Sequence, residues 1–235
     1  MLSIVIPVLN EEEYLPLTLS EIKKQNFSDY EIIVADAGSN DKSVEIAKDF
    51  GCIIIKGGLP AKGRNEGARI AKGDTLLFVD ADLVFLPENF LENVLKVFEE
   101  RKLKVASFPL CPKGRLLDKI IYTVYNFFVK ISQRFFAFAT NIILVKKEVF
   151  EAIGGFDEKI KIGEDHDFVK RAAKIAKFGF IETKPVLVSD RRLRKEGRLR
   201  VYGKYFGAAL YMLFLGPVKK DFFHYQFGHY KNNNK

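Results

Sequence analysis

The sequence predicts an α/β protein: a Rossmann-like, mostly parallel central sheet with helices on both faces, followed by a C-terminal helical extension. Three observations carry that expectation. Across residues 1–82, short apolar runs alternate with helical stretches of about 10–15 residues, the pattern of parallel strands joined by right-handed crossovers. The run Leu76-Leu77-Phe78-Val79 is apolar throughout, as befits a strand buried on both faces. Apolar runs also end in acids, at Asp36 and at Asp80-Ala81-Asp82. Those acids fall where strands leave the sheet, the edge at which open α/β sheets bind ligands.

The elements follow in order. Leu2 to Val8 reads as a strand, and Asn10 with glutamates 11–13 opens a helix through about Lys24, with Asn10 as a plausible N-cap. Tyr30 to Asp36 is a second strand, Gly38-Ser39-Asn40-Asp41 a turn, Ser43 to Phe50 a helix, and Cys52 to Ile55 a third strand. Lys62 to Lys72 is helical and leads to the strand ending at Asp80. Beyond it come a helix from Pro87 to Glu100, with proline suited to the first turn, and a strand from Leu103 to Pro109. Arg115 to Phe136 is apolar and aromatic, carrying Ile120, Tyr122, Tyr125, Phe127, Phe128, Phe135 and Phe136 with the cations Lys119, Lys130 and Arg134. A strand at Phe138–Val145, a short helix at Lys146–Ile153 and a turn at Gly154-Gly155-Phe156-Asp157-Glu158 follow. Gly163-Glu164-Asp165 opens a helix to about Lys177, and Gly179 to Val188 is a last strand. Arg191 to Leu215 is basic, then apolar, and the tail Asn232–Lys235 is expected to fray.

Composition narrows the function classes. With 235 residues, 48% of them hydrophobic, the chain can bury a sizeable core. Cys52 and Cys111 form neither a metal spacing nor a disulfide framework, which fits a reducing compartment. The N-terminus enters a strand-like run directly, so no signal peptide is expected, and no apolar stretch reaches the roughly 18 residues of a membrane span. A net charge of +8 favours anionic partners. The charge is concentrated: residues 184–204 hold eight basic residues against Asp190 and Glu196. No G-x-G-x-x-G follows the first strand and no G-x-x-x-x-G-K-[ST] occurs, which argues against a dinucleotide dehydrogenase or a P-loop enzyme.

Asp80 and Asp82, taken alone, read as two solvated acids in a turn, or as a pair sharing a hard divalent cation such as Mg²⁺ or Mn²⁺. The surrounding motifs decide. Ile4-Val5-Ile6-Pro7-Val8-Leu9-Asn10-Glu11, Val34-Ala35-Asp36-Ala37-Gly38-Ser39-Asn40-Asp41, Arg64-Asn65-Glu66-Gly67-Ala68, Phe78-Val79-Asp80-Ala81-Asp82 and Gly154-Gly155-Phe156-Asp157-Glu158 with Gly163-Glu164-Asp165 occur in this order. Together they resemble the family 2 nucleotide-sugar glycosyltransferases of the GT-A fold, over residues 1 to about 190. The resemblance implies a catalytic domain at 1–190, with a nucleotide-sugar half at 1–82 and an acceptor half at 83–190, and an extension at 191–235.

The same resemblance implies roles. Pro7, Leu9, Glu11 and Asp36 would hold the base and ribose of a UDP- or GDP-sugar. Ala37 stands where the family carries a second acid, so only Asp36 is available there. Arg64 and Asp80 would face the diphosphate, and Asp82 with Asp80 would hold Mn²⁺ or Mg²⁺. Glu164 and Asp165 would supply the base of an inverting transfer, with Asp165 the first choice. Arg191 and Arg192 would reach the diphosphate, and Gly155, Phe156 and Asp157 would shape the acceptor side. Each residue also has a plain structural reading: Glu11 as a helix-dipole acid, Asp36 as a cap, Phe156 as core, His166 as a structural histidine, and the arginines as a solvated patch.

The acceptor is expected to be a glycan or a lipid-linked group. Residues 205–216 carry no charge, and together with 115–136 they suit helices lying in the plane of an anionic membrane, or packed on the sheet or a second subunit. A cytoplasmic enzyme at the inner membrane face follows, with oligomerisation open and no nucleic-acid partner. The rivals are a sugar-phosphate nucleotidyltransferase, which lacks its expected Gly-rich signature here, and a non-catalytic nucleic-acid-binding protein using the basic patch.

Overall fold

The computed structural model describes residues 1–133, 136–214 and 216–218. Arg134 and Phe135 of the aromatic stretch, Leu215, and residues 219–235 with the expected fraying at Asn232–Lys235 lie outside the described residues.

The first half alternates as the sequence predicts: β1 (Leu2–Val8), α1 (Leu15–Lys23), β2 (Tyr30–Asp36), α2 (Ser43–Asp49), β3 (Ile53–Lys56), α3 (Pro60–Ile70) and β4 (Thr75–Phe78). Then come β5 (Leu83–Phe85), α4 (Phe90–Glu100), β6 (Val105–Ser107), β7 (Leu110–Pro112), α5 (Leu116–Ser132), β8 (Ile143–Lys146) and α6 (Lys147–Ala152). The chain continues through α7 (Glu164–Ala172), β9 (Phe178–Phe180), β10 (Val186–Val188), α8 (Arg191–Lys195) and α9 (Arg198–Phe214). No helix among the described residues is long and apolar enough to cross a membrane.

Seven strands form the central sheet in the order β3-β2-β1-β4-β8-β6-β9, and a three-stranded sheet runs β5-β10-β7. In the large sheet every neighbouring pair is parallel except those of β8, which is antiparallel to β4 and β6. The strand alternation sorts side chains to two cores. Leu2, Ile4, Ile6 and Val8 of β1 face one core with Leu15, Leu19 and Ile22 of α1, and Val5 faces the other with Ala61 and Ala68 of α3. The second core is aromatic. Phe78 meets Phe156 edge-on at 5.0 Å, and Phe156 stacks on Phe168 of α7 at 4.1 Å.

Several local expectations are corrected. Asn10 does not cap a helix. It adopts φ 56°, exchanges hydrogen bonds with the Ser39–Asn40 turn, and α1 begins only after Tyr14, with Pro16 in its first turn. The strand read at 103–109 shrinks to β6, with β7 following it in the other sheet, and the one read at 179–188 divides into β9 and β10 in different sheets. Pro109 and Pro185 stand at the divisions, and a proline cannot donate to a ladder. Leu83–Phe85 pairs with β10 as a strand that the sequence reading passed over, too short for a periodic signal. The helix expected to reach Lys177 ends at Ala172.

Helix α3 lies close on β1 because Gly67 has no side chain: a Cβ there would come within 2.3 Å of Val5 Cγ1. Gly67→Ala gains helix propensity but must displace a packed core side chain, so it is expected to destabilise the fold by about 1–3 kcal/mol. Urea unfolding, comparing midpoints at constant slope, checks this.

Candidate active site

At the carboxyl ends of β1 and β4, a cavity of about 630 Å³ opens between the sheet edge, the start of α7, and helices α5, α8 and α9. Pro7, Leu9 and Glu11 line it after β1, and Asp80, Ala81 and Asp82 after β4. Arg64 of α3, Glu164, Asp165 and His166 of α7, and Arg191 and Arg192 of α8 complete its polar wall. The sequence motifs thus converge on one space because each follows a strand or opens a helix at the same sheet edge.

Two arginines organise the charges. Arg64 is 4% exposed. Its Nη1 donates to Glu164 Oε1 at 2.8 Å and its Nη2 to Asp80 Oδ1 at 2.7 Å, with the guanidinium 5.3 Å from the Phe156 ring centroid. Burial works against its charge, but the carboxylates of Asp80, Glu164 and Asp165 outweigh that and hold its pKa above the usual value. For Glu164 burial dominates over the opposing charge of Arg64, so its pKa is raised. On the opposite side Arg191 Nη2 donates to Glu11 Oε1 at 2.5 Å, lies 3.8 Å from Asp82 Oδ2, and places its guanidinium 4.7 Å from the Tyr14 ring centroid. Burial pushes Glu11 up to about 7, against the hydrogen bond and charge of Arg191. Glu11 Oε2 is buried with no hydrogen-bond partner among the described residues. Asp82 is also raised by burial, Arg191 opposing and Asp80 adding.

Asp165 differs from the other acids. Its carboxylate accepts the backbone N–H of His166 at 2.8 Å and makes no ion pair among the described residues. His166 Nδ1 accepts the backbone N–H of Ala139 at 3.2 Å, which leaves the neutral ring's proton on Nε2. Gly163, at φ 77°, turns the chain into α7 and so aims this Glu164-Asp165-His166 run.

Other predicted residues lie elsewhere. Asp36 is not on the cavity wall; its carboxylate accepts the backbone N–H groups of Gly38 and Ser39, closing its own turn. Gly155, Phe156 and Asp157 also stand off the cavity wall. Phe156 is 2% exposed in the aromatic core, its backbone gripped by Asn65, which donates to its carbonyl and accepts its N–H. The basic cluster, read either as reaching the diphosphate or as a solvated patch, is largely paired within the protein. Arg191 meets Glu11, Arg194 meets Asp190, Lys204 meets Glu196, and Arg198 bonds the fully buried Asp118. Tyr202 adds a 2.8 Å hydrogen bond to Asp118. Burial alone would raise the Asp118 pKa; the bonds from Tyr202, Arg198 and Arg115 outweigh it and hold the group below its usual value.

The sequence reading missed Thr18. Its buried hydroxyl donates toward the carbonyls of Ala81, at 2.8 Å, and Leu83, at 3.0 Å, and so fixes the loop carrying Asp80 and Asp82. A polar residue on the same helical stripe as Leu15, Leu19 and Ile22 was the available signal. It missed Tyr122 and Tyr125 as cavity residues as well; both line the wall from α5.

Asp80 and Asp82 present hard oxygen donors at the cavity wall, a set that suits Mg²⁺ or Mn²⁺ when a bound ligand and water complete the shell. Among the described residues, no three His, Cys, Asp or Glu side chains converge to form a metal cage on their own.

The site is thus a buried, arginine-organised acid cluster at the carboxyl edge of a mostly parallel sheet. The glycosyl transferase family 2 model matches residues 3–152, and a glycosyltransferase-like family 2 model matches residues 109–233. The chain therefore belongs to glycosyl transferase family 2. An uncharacterized glycosyltransferase of Haemophilus influenzae is 32% identical over 179 residues, covering 72% of this chain and 60% of that protein. The chain thus spans less than two thirds of that relative's length. Among solved structures, the mannosyltransferase PcManGT from Pyrobaculum calidifontis, in complex with GDP-Man and Mn²⁺, superposes with a TM-score of 0.69 at 17% identity, covering 89% of this chain and 64% of that one. Staphylococcus aureus TarS 1-349 in complex with UDP gives 0.64 at 20% identity, covering 91% and 72%.

The pKa of Glu11 yields a pH prediction. The folded protein holds that proton up to about pH 7, whereas a free glutamate releases it near 4.5. Between those values the native state binds more protons than the unfolded chain, so stability falls as pH rises, by on the order of 2 kcal/mol. Glu11→Gln is expected to flatten that decline, read from urea unfolding at intervals from pH 4.5 to 7.5.

Proposed function

We propose that the enzyme moves a sugar from a nucleoside diphosphate sugar to an acceptor hydroxyl or lipid-linked acceptor, with inversion at the anomeric carbon and Asp165 as the general base. One observation carries the assignment of the base. Of the acids on the cavity wall, Glu11, Asp80 and Glu164 are each bonded to an arginine, and Asp82 lies near one, whereas Asp165 makes no ion pair among the described residues. An acid free to take a proton beside a fixed positive cluster suits deprotonation of an acceptor hydroxyl. The acceptor oxygen then attacks the anomeric carbon from the face opposite the diphosphate, the glycosidic bond to the diphosphate breaks, and the proton goes to Asp165.

The rest of the wall is assigned to the donor. Pro7, Leu9 and Glu11, with Asp36 from its neighbouring turn, hold the base and ribose of a UDP- or GDP-sugar. Arg64 keeps Asp80 and Glu164 in place beside the diphosphate, and Arg191 and Arg192 face it from α8. Asp82 and Asp80 would hold a divalent cation, Mn²⁺ or Mg²⁺, which would offset charge developing on the leaving diphosphate. The raised pKa of Asp82 supports this reading, since a buried carboxylate gains from a nearby positive charge. Gly155, Phe156 and Asp157 act on the acceptor side through the backbone that Asn65 grips. UDP bound to TarS, and GDP-Man with Mn²⁺ bound to PcManGT, support the donor class and the cation.

Asp165→Asn is expected to lower the transfer rate about 10²–10⁴-fold while leaving donor affinity within about twofold. Asp82→Ala is expected to abolish transfer and also the Mn²⁺-dependent part of donor binding, measured by calorimetry with UDP and GDP in the presence and absence of Mn²⁺. Full transfer activity in Asp165→Asn would discard the base assignment.

A further inference from the structure

Helix α5 has two unlike faces. Ile121, Tyr122 and Tyr125 turn inward to the cavity, and Asn126 exchanges hydrogen bonds with the backbone of Leu110. The outward face is a continuous apolar stripe at helical spacing, along which Leu116 is 73% exposed, Val124 63%, Phe127 61% and Ile131 57%. A helix of this kind in a water-soluble monomer normally turns such a stripe to the core.

Charge identifies what covers it. Lys113, Arg115 and Lys119 are exposed around the first turns of α5, and Lys130 pairs with Glu182 near its end. Between residues 113 and 133 the sole acid is Asp118, fully buried and bonded to Arg198 and Tyr202. The exposed surface of this segment therefore carries apolar groups and cations with no acid of its own. A second copy would bring the same cationic border to the contact and could not neutralise it. An anionic headgroup layer neutralises the cations while its acyl boundary receives the apolar side chains. No helix among the described residues is long and apolar enough to span a bilayer, so the contact lies in the interfacial plane.

We propose that the outward face of α5 docks on an anionic lipid surface, with Phe127 and Ile131 inserted and Lys113, Arg115 and Lys119 against the headgroups. Because the inward face of the same helix walls the cavity, docking brings the cavity within about one helix diameter, roughly 10 Å, of the bilayer. The docking stands on surface chemistry and does not depend on the transfer reaction proposed above.

The test is flotation of the full chain with vesicles of phosphatidylcholine alone and of phosphatidylcholine with phosphatidylglycerol. Binding is expected to the mixed vesicles, to weaken as salt rises, and to be slight on phosphatidylcholine alone. Phe127→Ser with Ile131→Ser is expected to lower partitioning about tenfold or more, and Lys119→Glu to lower it severalfold and reduce its salt dependence. Neither change touches the core, and an unchanged melting temperature verifies the fold; should the double variant melt lower, Val124→Ser serves in its place. Asp165→Asn is expected to bind vesicles as the parent does, which separates failure of docking from failure of the transfer reading. No flotation with anionic vesicles at low salt overturns the proposal, as does a double variant that binds like the parent. A parent that is dimeric by light scattering, and monomeric after the double substitution, would assign the face to a second copy instead and likewise overturn it.

Discussion

The site depends on one buried guanidinium. Arg64 is taken almost wholly out of water, which is costly for any cation unless its charge and its donors are matched. Asp80 and Glu164 supply that match, one from the loop after β4 and the other from the start of α7. These carboxylates are far apart in sequence, so a single side chain locks the first half of the chain to the second. Removing either acid would leave a buried charge short of a partner, a larger loss than that of one surface ion pair. Arg64 sits on α3, which lies tightly on β1 where Gly67 faces Val5. The same helix thus carries both a tight backbone contact and the guanidinium that organises the site.

A parallel arrangement closes the other side. Arg191 ties the C-terminal extension to Glu11, and Arg198 and Tyr202 tie α9 to Asp118 at the start of α5. The helices that wall the cavity opposite the sheet are thus held by ionic and hydroxyl contacts, with Ile162, Ala208 and Val218 forming a small apolar cluster beside them. Such contacts exchange partners more readily than a packed core does, since a bound anion can compete for the same arginines.

Residues 1–82 were legible because their strands are buried on both faces and read as unbroken apolar runs, separated by helices long enough to show a period. The acids at the strand ends were legible for the same reason: Asp80 and Asp82 follow the plainest strand in the chain. The second half was less so. Strands of three residues carry too little periodicity to be divided at Pro109 or Pro185 by pattern alone, and β5 was hidden in what reads as a loop. The pairing within the basic stretch 184–204 was not legible because linear charge counts take no account of long-range partners: Asp118 lies 80 residues from Arg198. Phe156 shows the converse. The sequence offered it both an acceptor-side and a core reading, and its ring packs between Phe78 and Phe168.

Glu164 and Asp165 show why adjacent acids need not share a role. Successive residues on a helix point roughly 100° apart, so only one of the two can face Arg64 while the other turns to the open cavity. Glu164 faces inward, where its longer side chain spans to the guanidinium and burial raises its proton affinity. Asp165 is left with a backbone N–H as its partner, at a helix N-terminus that favours the anion. A proton taken up there in the proposed transfer would disturb no ion pair of the wall, whereas protonating Glu164 would strip Arg64 of half its charge match. The ionic scaffold thus gives the two acids different surroundings: Glu164 is tied into the ion pairs that hold the site together, and Asp165 stands outside them.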